Sequence, residues 1–217
     1  MDARTGLVNA ARGFAQAAGE RLPACDADSL DVEKMDERPA GLPERLRPLW
    51  ELVESLTVQI KEADQKLEQI ARTEYPETKL LRQVSGGGVW IALTFVLTVE
   101  DSARFAKSRL IGYVGGCDVG LRPKRSESGQ SQPELRITKE GARDLRKMLV
   151  QGAPLILGRR GPDTDRKRWG LKLAARGGKK QKKRAVVAVA RKLAILRHRL
   201  GVTADVYQPL RREPLAA

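Results

Sequence analysis

The apolar positions of this chain predict a succession of helices. Leu7, Ala11, Phe14, Ala15 and Ala18 recur at helical spacing within residues 5–22, and that amphipathic helix should end near Gly19. Residues 23–43 carry three prolines, several acids and little periodicity, which reads as a connecting segment. Leu49, Val53, Leu56, Ile60, Ala63, Leu67 and Ile70 then follow at spacings of 4, 3, 4, 3, 4 and 3, the seam of a coiled coil. One reading is a pair of chains joined along 49–70. The other is a helix packed within its own domain, for which the off-seam Leu46, Leu52 and Val58 widen the apolar face.

The long helix should end at Tyr75-Pro76. A short helix with Leu80, Leu81 and Val84 leads into Ser85-Gly86-Gly87-Gly88, and the apolar run 89–99 predicts another helix after it. Residues 104–113 predict a third short helix, with Phe105, Leu110 and Ile111 turned to the core and Gly115-Gly116 ending it. The polar stretch 118–132 is a loop. Thr138 is the expected N-cap of a helix with Leu145, Met148 and Leu149 on one face, and residues 185–200 form a last helix on Val186, Val189, Leu193 and Leu196. The fold class is therefore mainly α. An N-terminal helix with linker (1–43) and a long coiled-coil helix (44–74) precede a small helical domain with a helix-hairpin-helix-like element (75–157) and a basic C-terminal helical segment (158–217).

Charge changes this picture in one place. The chain has 41 Lys and Arg against 27 Asp and Glu, a formal net charge of +14 over 217 residues. Residues 158–199 hold sixteen of the bases and two of the acids, leaving 25 of each sign elsewhere, so this segment carries the whole excess. An acidic polymer is the partner that such a field attracts. With three each of Phe, Trp and Tyr, stacking platforms for bases are few and phosphate contact should dominate. Other chemistries are disfavoured. Cys25 and Cys117 have neither disulfide-framework nor metal-ligand spacing, and His198 is the chain's single histidine, so zinc sites and a Ser-His-Asp triad are not expected. The longest apolar stretch is too short to span a bilayer and the N-terminus does not read as a secretory signal, which points to the cytoplasm, at the nucleoid.

Three groups of residues suit nucleic-acid chemistry. Gly86 and Gly88 let backbone N–H groups and a helix N-terminus approach a phosphate, although a tight turn between packed helices needs the same glycines. The run Lys179, Lys180, Lys182, Lys183 and Arg184 leads directly into the last helix, and reads as an ordered phosphate-binding surface rather than a free arm. The loop 118–132 holds serines flanked by arginine and lysine, next to a helix start. Cations so placed would neutralise charge on a phosphodiester attacked by a serine, and a solvated basic loop has the same composition.

Taken in order, several motifs resemble the C-terminal transposase domain of the IS one-ten family of insertion sequences. They are Leu81-Arg82-Gln83-Val84-Ser85-Gly86-Gly87-Gly88, Asp101-Ser102-Ala103-Arg104-Phe105, Ser108-Arg109, Gly120-Leu121-Arg122-Pro123, Glu127-Ser128-Gly129 and Ile137-Thr138-Lys139-Glu140-Gly141. Trp169-Gly170, Lys182-Lys183-Arg184-Ala185 and Tyr207-Gln208-Pro209-Leu210 continue the match, and Arg4-Thr5-Gly6-Leu7-Val8-Asn9 extends it back to the start. The resemblance implies a DNA recombinase guided by a structured RNA, built from a RuvC-like domain with four metal-binding acids and a domain with a catalytic serine. The serine's position here is Ser128, a nucleophile that would form a transient phosphoserine link to a DNA end. Arg125, Lys139 and Arg143 are the matching candidates for clamping the phosphate. The family's acidic domain precedes the Arg-Thr-x-Leu-Val-Asn helix, and only Met1 to Ala3 precede it here, so Mg2+ is expected only with that missing domain and no metal ligand in this chain.

The chain also departs from the family pattern. Ser85 and Gly87 replace a proline and an apolar residue in the hairpin, and Arg197 and Gly201 stand where apolar Leu and Trp are expected, which would place a charge and a cavity near a helix end. The implied function is a truncated transposase that binds DNA and guide RNA, dimerises, and carries the serine half of a strand-exchange site. A separately encoded acidic domain acting in trans would make it an active recombinase. The alternative is a non-catalytic regulator that forms mixed dimers with full-length transposase.

Overall fold

The structure, a computed structural model, describes residues 2–22, 42–112, 119–124 and 135–210, and forms two units, Met1–Glu68 and Gln69–Ala217. The first unit is a helical hairpin. Helix α1 (Asp2–Ala17) packs antiparallel on the N-terminal half of α2 (Leu42–Thr73), joining Ala11 and Ala15 to Leu46 and Trp50 in one cluster. Arg4 Nη1 donates to Thr57 Oγ1 at 3.2 Å at the other end of the contact. Gly19 takes φ 82°, which lets the Glu20 N–H reach the Ala15 carbonyl at 2.9 Å and closes the helix. The expected face of α1 is rotated. Arg4, Val8, Ala11 and Ala15 are buried while Phe14 is 61 % exposed, since it is the small side chains at 11 and 15 that pack with Leu46 and Trp50.

The buried stripe of α2 is likewise Leu46, Trp50 and Val53 rather than the full 49–70 seam. α1 covers that first half only. Farther along, Leu56, Ile60 and Leu67 are half-buried, and Leu52 and Val58 are exposed. α2 stops before Tyr75-Pro76 as expected, and the Thr78 hydroxyl donates to the Tyr75 carbonyl at 2.7 Å at the turn.

In the second unit, α3 (Thr78–Arg82) and α4 (Val89–Val99) are joined by residues 83–88, and α4 coincides with the apolar run read from the sequence. The predicted helix over 104–113 is absent. Two 3-10 turns, Ser102–Arg104 and Ser108–Gly112, stand in its place. The chain is extended at Phe105 (φ −109°, ψ 105°), whose ring meets His198 edge-on at 5.4 Å, and this contact breaks the helix that spacing alone suggests. His198 is buried, with Nε2 3.0 Å from the Ser102 carbonyl.

Thr138 is not an N-cap either. Residues 120–124 run antiparallel to 136–139 about a Pro123–Ile137 bridge, the Thr138 N–H donating to the Arg122 carbonyl at 2.9 Å. Lys139 (φ 62°) and Gly141 (φ 71°) then turn the chain, delaying α5 to Arg143–Leu157 behind an uncapped Ala142. Helix α6 (Asp165–Ala174) has no counterpart in the sequence reading. Its N-cap, Thr164, accepts from the Lys167 N–H at 3.1 Å. Thr164→Ala should cost about 1 kcal/mol of stability in a urea titration; a loss near zero would mean that tertiary packing alone holds this turn.

Helix α7 (Lys179–Thr203) is the axis of the unit, packing on α3, α5, α6 and both 3-10 turns. Val189, Ala190, Leu193 and Ala194 are its buried centre, against Phe95, Ile111, Leu145, Leu149 and Ala153. The expected cavity at Gly201 does not form, since that residue is exposed, but Arg197 is fully buried. Among the described residues no helix is long and apolar enough to cross a membrane.

Candidate nucleic-acid interface

The cationic run is the first part of α7. Lys179, Lys180, Lys182, Lys183 and Arg184 are all exposed, and burial starts at Ala185, where the helix enters the core. The first turn contains no acid, and Gly178 supplies no side-chain cap. Cations at the positive end of a helix dipole disfavour the helix, by roughly 0.3–1 kcal/mol each when exposed, and they repel one another. A bound polyanion reverses both terms.

A second cationic feature is assembled from distant segments. Arg109, Arg166, Lys192 and Arg199 line a cleft of about 390 Å³ together with Asp165, Asp205 and Tyr207. Arg166 Nη1 donates to the Tyr207 hydroxyl at 3.0 Å, and its guanidinium lies 5.3 Å from the centre of that ring. Lys192 Nζ stands 3.4 Å from the centre of the Trp169 ring, and burial, aided by repulsion from Arg166, holds its pKa below the usual lysine range. The tail that closes the cleft is tied down at both ends. Gln83 Oε1 accepts from the Tyr207 N–H at 2.9 Å, and the Pro209 carbonyl accepts from the Asp165 N–H at 3.0 Å. Ser108-Arg109 and Tyr207-Gln208 stand in the sequence as motifs without an evident role. Their separation by about the length of the domain hides the cleft.

A third lies where the chain enters and leaves residues 125–134. Lys124, Arg136 and Lys139 line a cavity of about 480 Å³ with Leu135, Ile137 and Thr138, three cations with no acid among the described lining residues. Its walls are fixed by backbone pairing, Lys124 N–H to the Arg136 carbonyl at 2.8 Å and Lys139 N–H to the Gly120 carbonyl at 3.1 Å. Arg146 Nη1 also donates to the carbonyls of Glu140 and Val119, tying this hairpin to α5. Ser128 and Arg125 lie outside the described residues. Of the predicted clamps, Lys139 is brought together with Lys124 and Arg136, while Arg143 is an exposed first residue of α5 that does not line this cavity.

The glycine turn is held from two sides. Gly86 has φ 79°, and a β-carbon there would come within 2.7 Å of the Gly152 carbonyl oxygen on α5, so this glycine has a packing reason of its own. A β-carbon on Gly87 would fall on Nη2 of Arg197, whereas Gly88 is exposed with open space around its β position. Burial pushes the Arg197 pKa down to about 10, which leaves it charged at neutral pH.

Among the described residues no three His, Cys, Asp or Glu side chains come together as a metal ion would require. The described residues therefore do not fit the Mg2+ site that the family resemblance associates with its acidic domain.

Among the described residues this helical unit presents three cationic surfaces, an arrangement that attracts a polyanion. Residues 78–170 match the family described as transposase IS116/IS110/IS902. Over 202 residues the chain is 28 % identical to the transposase for insertion sequence element IS1111A of Coxiella burnetii (strain RSA 493 / Nine Mile phase I), covering 89 % of this chain and 53 % of that protein. The chain thus spans about half the length of the curated relative it matches. Residues 78–170 are thus similar to a transposase family, and the chain as a whole is similar to part of an insertion-sequence transposase.

Proposed function

We propose that this chain is the nucleic-acid-binding, serine-bearing part of an insertion-sequence recombinase, acting on DNA with a structured guide RNA. Ser128 Oγ attacks a backbone phosphorus and displaces the sugar oxygen of one strand, conserving the phosphodiester energy in a phosphoserine ester. The observation that carries this reading is the acid-free lining of Lys124, Arg136 and Lys139 at the two ends of segment 125–134, within the family-matched stretch. Cations fixed there before reaction stabilise charge developing on the phosphoryl oxygens. The test is a covalent protein–DNA adduct, trapped on a denaturing gel in the presence of a RuvC-like domain, with the modified residue mapped by mass spectrometry. An adduct on a residue other than Ser128 refutes the assignment.

The chain also self-associates through α2. From the end of the part covered by α1 onward, Leu56, Ile60 and Leu67 keep the seam spacing and are only half-buried, beside an exposed Val58. A coiled-coil partner would complete their burial. Light scattering should report a dimer at micromolar concentration, and Leu56→Asp with Leu67→Asp should yield monomers; a monomeric unmutated chain would rule this out. The same half-covered stripe favours a second reading, a regulator that forms mixed dimers with full-length transposase, which co-purification of two differently tagged lengths would detect.

A further inference from the structure

We propose that Arg197 is a buried counter-charge for a nucleic-acid phosphate docked on the glycine turn at Gly88 and the first turn of α4. This rests on the nucleic-acid reading above and assigns it a subsite. The turn alone would be no more than a helix N-terminus, but two features of Arg197 point to an anion. It is 0 % exposed, and among the described residues none of its three side-chain nitrogens has a hydrogen-bond acceptor and no carboxylate pairs with it. Its guanidinium also occupies the place where a side chain on residue 87 would lie, so the charge is pressed directly against the backbone of the turn.

The outer side of the same turn is built to receive a ligand. Gly88 is exposed, and among the described residues no atom lies within 4 Å of its β position, so the α4 N-terminus is open on that side. It caps an 11-residue helix without any side-chain hydrogen bond, and no acid stands in the first turn. On the inner side the packing of Gly86 on Gly152 keeps the turn pinned to α5, so the amides need no reorganisation when an anion arrives. A cation in a low-dielectric interior is screened far less than the exposed lysines of α7, so one buried charge here can match several surface ones.

An arginine kept in place for binding at the expense of stability has a signature that a merely structural one lacks. Arg197→Leu should leave the full chain as stable as before or raise its melting temperature, since apolar replacement of an uncompensated buried charge is often neutral or stabilising. Its affinity for a short DNA duplex should nonetheless fall about tenfold, and the slope of log affinity against log salt should shrink by about one. Gly88→Asp is the second variant, independent of core packing. Asp is a better N-cap than Gly, so stability should rise, while its charge repels the phosphate and binding should fall similarly. In the unmutated chain inorganic phosphate, compared with chloride at equal ionic strength, should raise the melting temperature, and Arg197→Leu should abolish that rise.

Stable variants that bind duplex with unchanged affinity and salt slope overturn the proposal. So does a phosphate effect that survives Arg197→Leu. An Arg197-dependent phosphate effect without any duplex or RNA binding would uphold the anion site and refute the nucleic-acid reading. Absence of both in the unmutated chain would refute the two together.

Discussion

Reversing Lys179, Lys180, Lys182 and Lys183 to glutamate should lower nucleic-acid affinity by about a hundredfold or more near 0.1 M salt. Each phosphate contact contributes roughly 0.9 to the dependence of log affinity on log salt, and reversal replaces attraction with repulsion at four positions. The same variant should fold at least as well as the parent. All four side chains are exposed at the start of α7, where the helix dipole favours acids, Glu matches Lys in helix propensity, and four adjacent cations no longer repel. Melting temperature and affinity should therefore move in opposite directions. A matched reversal at exposed Lys61 and Lys66 on α2 reports the effect of net charge alone, and should be several times weaker per residue. An equal loss per residue at both places would mean that the charge acts as a diffuse field and α7 makes no specific contact.

How much of this was legible in the sequence follows from what each feature depends on. Helix α4 was fully legible because an apolar run bounded by Gly88 and Glu100 needs no partner to be recognised. The spacing of α2 was legible too, but not which of its faces is buried. Leu46, Trp50 and Val53 win because α1 presents the small Ala11 and Ala15 to them, a property of another helix. Phe105 illustrates a local rule overridden from a distance, since His198 draws it out of the expected helix. The positive run at 179–184 was plain in composition, and only the helical start at Lys179 was missed. The cleft was not legible, because Arg109 joins Arg166, Lys192 and Arg199 only after folding. Arg197 was noticed as a departure, but its contact with Gly87 ties together positions more than a hundred residues apart in the chain.

These cationic surfaces differ in how their charge is held, and that difference orders their expected roles. The α7 lysines are exposed, so they supply long-range attraction that salt screens readily. Lys192 and Arg166 are oriented by Trp169 and Tyr207, and a phosphate entering that cleft meets guanidinium and ammonium groups already in position. Lys124, Arg136 and Lys139 are set by backbone pairing at the base of segment 125–134. On the proposed function, capture, docking and chemistry would fall to these three surfaces in that order.

The largest expected effect is on chemistry. If Ser128 works as proposed, with a partner domain supplying the other half of the site, the bare chain should neither cleave nor join DNA, because a serine hydroxyl on its own lacks both activation and leaving-group stabilisation. With an intact RuvC-like domain, guide RNA and target DNA in magnesium buffer, recombination should return, and Ser128→Ala should reduce it to background with no covalent adduct. Ser126→Ala and Ser131→Ala should keep it. Lys139→Ala, Arg125→Ala and Arg143→Ala should each slow the reaction by about ten- to a hundredfold without abolishing it, since neighbouring cations substitute in part. Lys139 should be the most sensitive of the three, because it shares its cavity with Lys124 and Arg136 while Arg143 does not line it. Ser128→Cys separates positioning from nucleophilicity: a thiol in the same place should still bind the complex and give little or no strand exchange. Full activity in Ser128→Ala would remove Ser128 from the reaction, and recombination by the 217-residue chain alone would remove the need for a second domain.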